Sequence, residues 1–279
     1  MENHKYGKTY RVETVIDFWS DALKRYVVMD IYLPPGFEPH RHNCPLLLFN
    51  DGQDGEEVHL LHHLNRLTTD AAITAPLAVG VYAGERIQEY GVAAQPDYKN
   101  RGSKAGAYNR FVIEELIPQL SGLYHINLQH SKNTISGFSL GGLSAFDIAW
   151  NNADVFRQVG VFSGAFWWRS EPVNPGLPDA HRILHEEIRK ATHKPGLRFW
   201  FQSGTLDEEE DRNNNGIIDV IDDILDLSVE LTCKGYRPFY DIAYLEIANG
   251  QHNLHTWNKA MPWFLKWAFG FKPTHSITL

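Results

Sequence analysis

Gly137-Phe138-Ser139-Leu140-Gly141, with Gly142 next, follows a β-prone run at 133–138 and precedes a helical pattern at 143–150. A strand turning sharply into a helix holds its turn residue in a strained conformation. The small residues two before and two after Ser139 let strand and helix approach closely while the serine Oγ stays exposed.

Outward from this turn, β-prone runs lie at 9–16, 26–33, 45–50, 77–82, 133–138, 158–163, 197–203 and 240–247. From the third onward most are nearly continuous apolar runs, such as Pro45-Leu46-Leu47-Leu48-Phe49, as strands covered on both faces of a largely parallel sheet require. The first two alternate more and suit an antiparallel edge. Tyr108, Val112, Leu116 and Leu120 recur every four residues, and Leu254, Trp257, Met261, Phe264 and Leu265 mark a helical face near the C-terminus. Pro262 inside that face predicts a kink or a fresh helix start. Strand and helix alternate, which predicts an α/β fold with a mostly parallel eight-stranded sheet and helices on both faces. No repeat or low-complexity tract interrupts the chain, and 86–104 reads as a loop rather than a linker, so a single domain over 1–279 is expected.

The 279 residues are 43% hydrophobic and 13% aromatic, enough to bury a full core. Lys and Arg number 26 against 34 Asp and Glu, a net charge of −8 with no basic run, which argues against a nucleic-acid or anionic-membrane partner. No stretch approaches the roughly 18 apolar residues of a membrane span, and 1–13 is polar, so the chain reads as cytoplasmic. Cys44 and Cys233 are too few for a disulfide framework and form no CxxC pair; both read as unreactive thiols.

A serine hydroxyl needs a base to take its proton and a carboxylate to orient that base. Around an elbow of this type the partners follow in the order serine, acid, histidine, each on a loop at the C-terminal end of a strand. Asp207 follows the 197–203 run through Gly204-Thr205-Leu206, and His252 follows the 240–247 run through Asn249-Gly250-Gln251. His255 is the rival base and Glu208 to Glu210 the rival acids. His255 should already be helical, and Asp207 stands nearest the strand end. The oxyanion needs backbone N–H donors: Leu140 supplies one, and the Asn50-Asp51-Gly52-Gln53-Asp54 loop the other, from Gln53 or alternatively Gly52.

The set resembles the putative esterase family of α/β-hydrolases, which includes enterochelin esterases, esterase D and feruloyl esterases. The likeness spans nearly the whole chain and rests on Asp51-Gly52-Gln53, the Ser139 elbow, Phe162-Ser163-Gly164-Ala165-Phe166-Trp167-Trp168, and Gly250-Gln251-His252 with Trp257 following. It implies a Ser139-His252-Asp207 triad that hydrolyses a small-molecule ester. The paired tryptophans most resemble enterochelin esterases, although an extra N-terminal domain of the best-known type has no room here. Trp167, Trp168, Arg169 and Tyr90 are candidate substrate contacts, with Arg86, Tyr98 and Arg101 as further pocket-wall candidates. Acyl transfer to an alcohol by the same triad, and a non-catalytic binding protein on the same fold, are the alternatives.

Two clusters suggest metals. Glu56, His59 and His63 have one-face helical spacing, but no HExxH accompanies them, and a surface helix face is the expectation. Asp211-Arg212-Asn213-Asn214-Asn215-Gly216-Ile217-Ile218-Asp219-Val220-Ile221-Asp222 matches an EF-hand loop and predicts structural calcium. Its ligands would be Asp211, Asn213, Asn215, the Ile217 carbonyl, Asp219 and Asp222. Asp replaces the usual bidentate Glu at the last position, as in dockerin-like loops, which this resembles. No cofactor is expected for catalysis.

Overall fold

The computed structural model describes residues 8–39, 43–127 and 129–271. Its sheet is ordered β1-β2-β4-β3-β5-β6-β7-β8. The strands are β1 (Arg11–Ser20), β2 (Arg25–Leu33), β3 (Leu46–Asn50), β4 (Leu77–Val81), β5 (Thr134–Phe138), β6 (Gln158–Phe162), β7 (Arg198–Leu206) and β8 (Ile242–Gln251). β2 is antiparallel to both β1 and β4, and all other pairs are parallel. The α/β-hydrolase fold expected from the sequence is therefore present, with the two alternating strands at one edge.

The helices are α1 (Leu60–Thr69), α2 (Arg86–Glu89), α3 (Ala105–Arg110), α4 (Ile117–Tyr124), α5 (Leu140–Asn151), α6 (Ile183–Lys190), α7 (Asp219–Cys233) and α8 (Leu254–Phe269). A π turn, Phe111–Leu116, joins α3 to α4. Side chains alternate across a strand, so each apolar run feeds two cores. Leu46, Leu48, Ile135, Val159, Phe199 and Phe201 pack with residues of α5, α6 and α7. Leu47, Phe49, Phe138, Phe162 and Trp200 pack with those of α1 and α8 on the other face.

Three local expectations change. α8 runs through Pro262 without a new start, since the helix is buried on Ala260, Met261, Phe264 and Leu265. Part of the 86–104 stretch is α2 rather than loop. α1 begins at Leu60, with His59 left-handed before it at φ 51°, so Glu56, His59 and His63 do not share a regular helix face. Among the described residues, no helix is long and apolar enough to cross a membrane.

Candidate active site

Ser139, Asp207 and His252 each stand one residue beyond a strand, after β5, β7 and β8 respectively. Those strands are parallel members of one sheet, so the three residues gather along one edge. The strands run further than expected: 204–206 belongs to β7 and 249–251 to β8. Their glycines serve close approach rather than turns, because a Cβ on Gly204 would lie 2.3 Å from the Gly250 backbone.

Ser139 has φ 50° and ψ −118°, a conformation that L residues rarely hold unless neighbours enforce it. Its N–H donates to the Phe162 carbonyl over 2.8 Å, and its own carbonyl accepts from Leu143 N–H at 3.0 Å. A Cβ on Gly137 would come within 2.4 Å of the Gly141 carbonyl oxygen, which accounts for the paired glycines around the serine.

Ser139 and His252 line a cavity of about 680 Å³ together with Gln53, Arg86, His255 and Trp257. His252 reaches it from the end of β8. Asp207 is buried behind, and neither of its carboxylate oxygens has a hydrogen-bond partner. Burial pushes its carboxyl up, opposed by the nearby Ser163 hydroxyl, the Gly204 backbone and the charge of His252. His252 is held below the ordinary histidine value by burial; Asp207 raises it and Arg86 lowers it further. No Ser139–His252 hydrogen bond is formed, as is common in unliganded sites, where such bonds tighten once substrate is present.

Leu140 opens α5, and Gln53 lies in a 3₁₀ turn, Gly52–Asp54, after β3. The Gln53 side chain is held by two hydrogen bonds: its Nε2 donates to Asp51 Oδ1 at 3.2 Å, and its Oε1 accepts from Ala83 N–H at 3.1 Å. The alternate donor, Gly52, is buried.

The rivals separate by position. His255 is exposed on α8 at the cavity wall. Glu209 and Glu210 are exposed, and Glu208 turns to the start of α7, accepting from Val220 N–H at 2.5 Å, with burial raising its carboxyl to about 7.

Three expected substrate contacts lie in the core instead. Trp168 and Tyr90 are fully buried, and the Tyr90 hydroxyl accepts the Asp51 N–H at 3.0 Å. Arg169 is 3% exposed and spends its donors on the Trp167, Pro178 and Ala180 carbonyls. None of the three offers a surface at the cavity. Trp167 is half-buried under Arg101, whose guanidinium sits 5.0 Å from its ring, and Tyr98 is 40% exposed. Of the pocket-wall candidates, Arg86 lines the cavity.

Two contributors escaped the sequence reading. Asp51, left-handed at φ 59° and 1% exposed, grips Arg86 through both carboxylate oxygens at 2.8 and 2.9 Å. Ser163, beside Asp207, accepts the Trp257 indole N–H at 2.9 Å. Both stand in stretches that carry the family resemblance, which implies a role for neither; a polar residue just past an apolar strand was the available signal.

The 211–222 loop leads from the Asp207 segment into α7. Asn213 and Asn215 both donate side-chain N–H groups to Asp222 Oδ2, at 2.7 and 3.2 Å. Asp211 accepts the Asn215 and Gly216 N–H groups at 3.1 and 2.9 Å. Asn214 and Gly216 take positive φ, 57° and 87°. Asp219 is engaged by Arg212, whose N–H lies 2.8 Å from Oδ1. The carboxylates of Asp179, Asp222 and Asp226 also converge.

A family model described as putative esterase matches residues 20–267. Among solved structures, enterochelin esterase from Shigella flexneri superposes with a TM-score of 0.72 at 19% identity, over 92% of this chain and 57% of that one. A ferulic acid esterase gives 0.70 at 17% identity, covering 93% and 97% of the two chains. The BES protein from Bacillus cereus gives 0.66 at 17%, covering 92% and 94%. This chain thus spans a little under three-fifths of the length of the Shigella enzyme, and at these identities the likeness is one of fold.

Proposed function

The chain belongs to the putative esterase family, and from that premise we propose that it hydrolyses a small carboxylic ester through an acyl-enzyme formed on Ser139. The observation that carries this reading is the placement of Ser139, Asp207 and His252 one residue past the ends of parallel strands, with Ser139 strained outward at φ 50°.

In this mechanism Ser139 Oγ attacks the ester carbonyl carbon while His252 takes the hydroxyl proton. The Leu140 and Gln53 N–H groups receive the oxyanion. Collapse breaks the bond to the alcohol oxygen, which leaves with the proton from His252; water then repeats the sequence and releases the acid. Asp207 is suited to orient His252 because its buried carboxylate, close to the Ser163 hydroxyl and the Gly204 backbone, lacks a charged partner. Positive charge on the ring during proton transfer gives it one.

An aromatic acyl group is the favoured substrate class, supported by Trp257 on the cavity wall and by neighbours named for ferulic acid and enterobactin. The test is hydrolysis of p-nitrophenyl acetate with and without competing alcohols, followed by feruloyl, catecholate and long alkyl esters. Turnover by water, abolished in Ser139→Ala, supports the proposal; acceleration by alcohol with ester product identifies a transferase, and no turnover a binding protein.

A calcium ion in the 211–222 loop is the second element of the proposal. The donor set fits a hard cation: Asp211, Asn213, Asn215, Asp219 and Asp222 offer oxygens, and Ile217 a carbonyl. Its support is the turn geometry of the loop, with positive φ at Asn214 and Gly216 and the Asp211 carboxylate accepting the Asn215 and Gly216 N–H groups. The ion would brace the segment between Asp207 and α7, acting on structure rather than chemistry.

A further inference from the structure

Arg86 links two segments that meet only in the folded chain. Its Nε and Nη2 bind the two oxygens of Asp51, and Nη2 also donates to the Phe138 carbonyl at 3.2 Å. Asp51 lies two residues before Gln53, and Phe138 precedes Ser139 and Leu140. One guanidinium therefore ties the loop bearing the Gln53 N–H to the strand end bearing the nucleophile and the Leu140 N–H.

The surroundings fix that tie from both sides. Asp51 is left-handed without being glycine, a conformation that persists only when neighbours over-determine it. Its N–H is held by the buried Tyr90 hydroxyl, and its Oδ1 also takes the Gln53 side-chain amide. Just before it, Asn50 donates to the Gly141 carbonyl at 2.8 Å, and Tyr108 donates to Asn50 at 2.7 Å. On the other side, α2 is anchored by Glu89, which is buried and receives two donors of Arg25, each at 2.7 Å.

We propose that Arg86 is a positioning residue for ester hydrolysis, holding the Gln53 and Leu140 N–H groups at the mutual spacing an oxyanion requires. The inference rests on the mechanism assigned above to Ser139. Arg86 would act through Asp51 rather than on the substrate, because two of its three nitrogens are already committed to protein oxygens. Oxyanion donors work mainly in the transition state, so a loosened tie lowers kcat and leaves KM nearly unchanged.

The test compares Arg86→Gln and Arg86→Lys with the parent on p-nitrophenyl acetate, alongside the affinity for trifluoroacetone, whose serine adduct carries a tetrahedral oxyanion. The expected result is a fall in kcat of roughly 10- to 100-fold, below the loss from deleting a donor outright, with KM within about twofold. Trifluoroacetone affinity should fall in the same proportion. A kcat within about twofold of the parent, a loss carried by KM alone, or ketone affinity per folded site unchanged would each overturn it; the last marks Arg86 as structural only. If Arg86→Gln does not fold, Arg86→Lys, which keeps a charge against Asp51, carries the same comparison. Ser139→Ala is the control that separates the two readings. If it stays active, the mechanism fails; if it is inactive while both Arg86 variants work normally, this inference alone fails.

Discussion

Trp257 stacks on Phe138 with ring centroids 4.5 Å apart and planes 8° from parallel. The same indole donates to Ser163 Oγ and meets the His252 ring edge-on at 5.2 Å. A single buried side chain thus contacts the neighbour of Ser139, the hydroxyl beside Asp207, and the candidate base. Trp257→Ala is expected to cost about 3–5 kcal/mol of stability, the range for large aromatic truncations, and to lower kcat. Trp257→Phe keeps the stacking and loses one hydrogen bond, for about 1 kcal/mol. Denaturant melts and steady-state kinetics on the two variants check both figures.

Removing the nucleophile or base should have far larger effects on turnover than on stability. Ser139→Ala and His252→Ala are expected to lower kcat by roughly 10⁴- to 10⁶-fold, as for members of one catalytic unit, with circular dichroism unchanged. His255→Ala should stay close to the parent. A large loss at 255 with full activity at 252 would reverse the assignment of the base.

Asp207→Asn tests the orienting carboxylate separately from the proton carrier. The shape is kept while the charge is lost, and kcat should fall by roughly 10³- to 10⁴-fold. Glu208→Gln should not reproduce that fall, because Glu208 faces α7.

The pH dependence follows from the direction of the His252 shift. His252 must be neutral to accept the Ser139 proton, so activity is present above its pKa and lost as pH falls through it. Burial and the Arg86 charge hold that pKa below the ordinary 6.5, which places the acid limb of kcat/KM below 6.5. Removing the Arg86 cation should move the limb upward, and a pH–rate profile of Arg86→Gln reads this directly. An acid limb above 7 in the parent would contradict the electrostatics of the site.

Calcium makes a stability prediction with its own controls. At free calcium about 100-fold above Kd, linkage contributes about 2.7 kcal/mol, or roughly 5–10 °C in Tm for a chain of this size. Chelation should remove that increment and reduce activity, with calcium restoring both and magnesium doing so poorly. Asp211→Ala should melt at one temperature regardless of calcium. A metal-stripped parent that is equally indifferent would show that the loop binds no ion.

The sheet was readable because its buried strands are apolar on both faces, and no other element of this length looks like Pro45-Leu46-Leu47-Leu48-Phe49. Read from sequence, β7 ends at 203 and β8 at 247 with loops beyond, since Gly204, Asn249 and Gly250 carry turn chemistry; contact between neighbouring strands, not local preference, sets their conformation. The order of Ser139, Asp207 and His252 could be read from strand ends alone. Tyr90 and Trp168 could not be placed, because an aromatic residue suits a pocket wall and a core equally well until burial is known. The Asp51–Arg86 pair was invisible for a different reason: its partners are 35 residues apart, and only the docking of α2 brings them together.

Because the three candidate groups ride on strand ends, the exposed segments that touch neither them nor Arg86 are free to vary. The exposed stretch 170–181 between β6 and β7 can be exchanged for that of a relative while β5, β7 and β8 keep their register, whereas the stretch between β4 and α3 carries Arg86 and stays with the frame. A chimera carrying a foreign segment at 170–181 alone should shift its preference among esters while keeping the pH profile of its own frame.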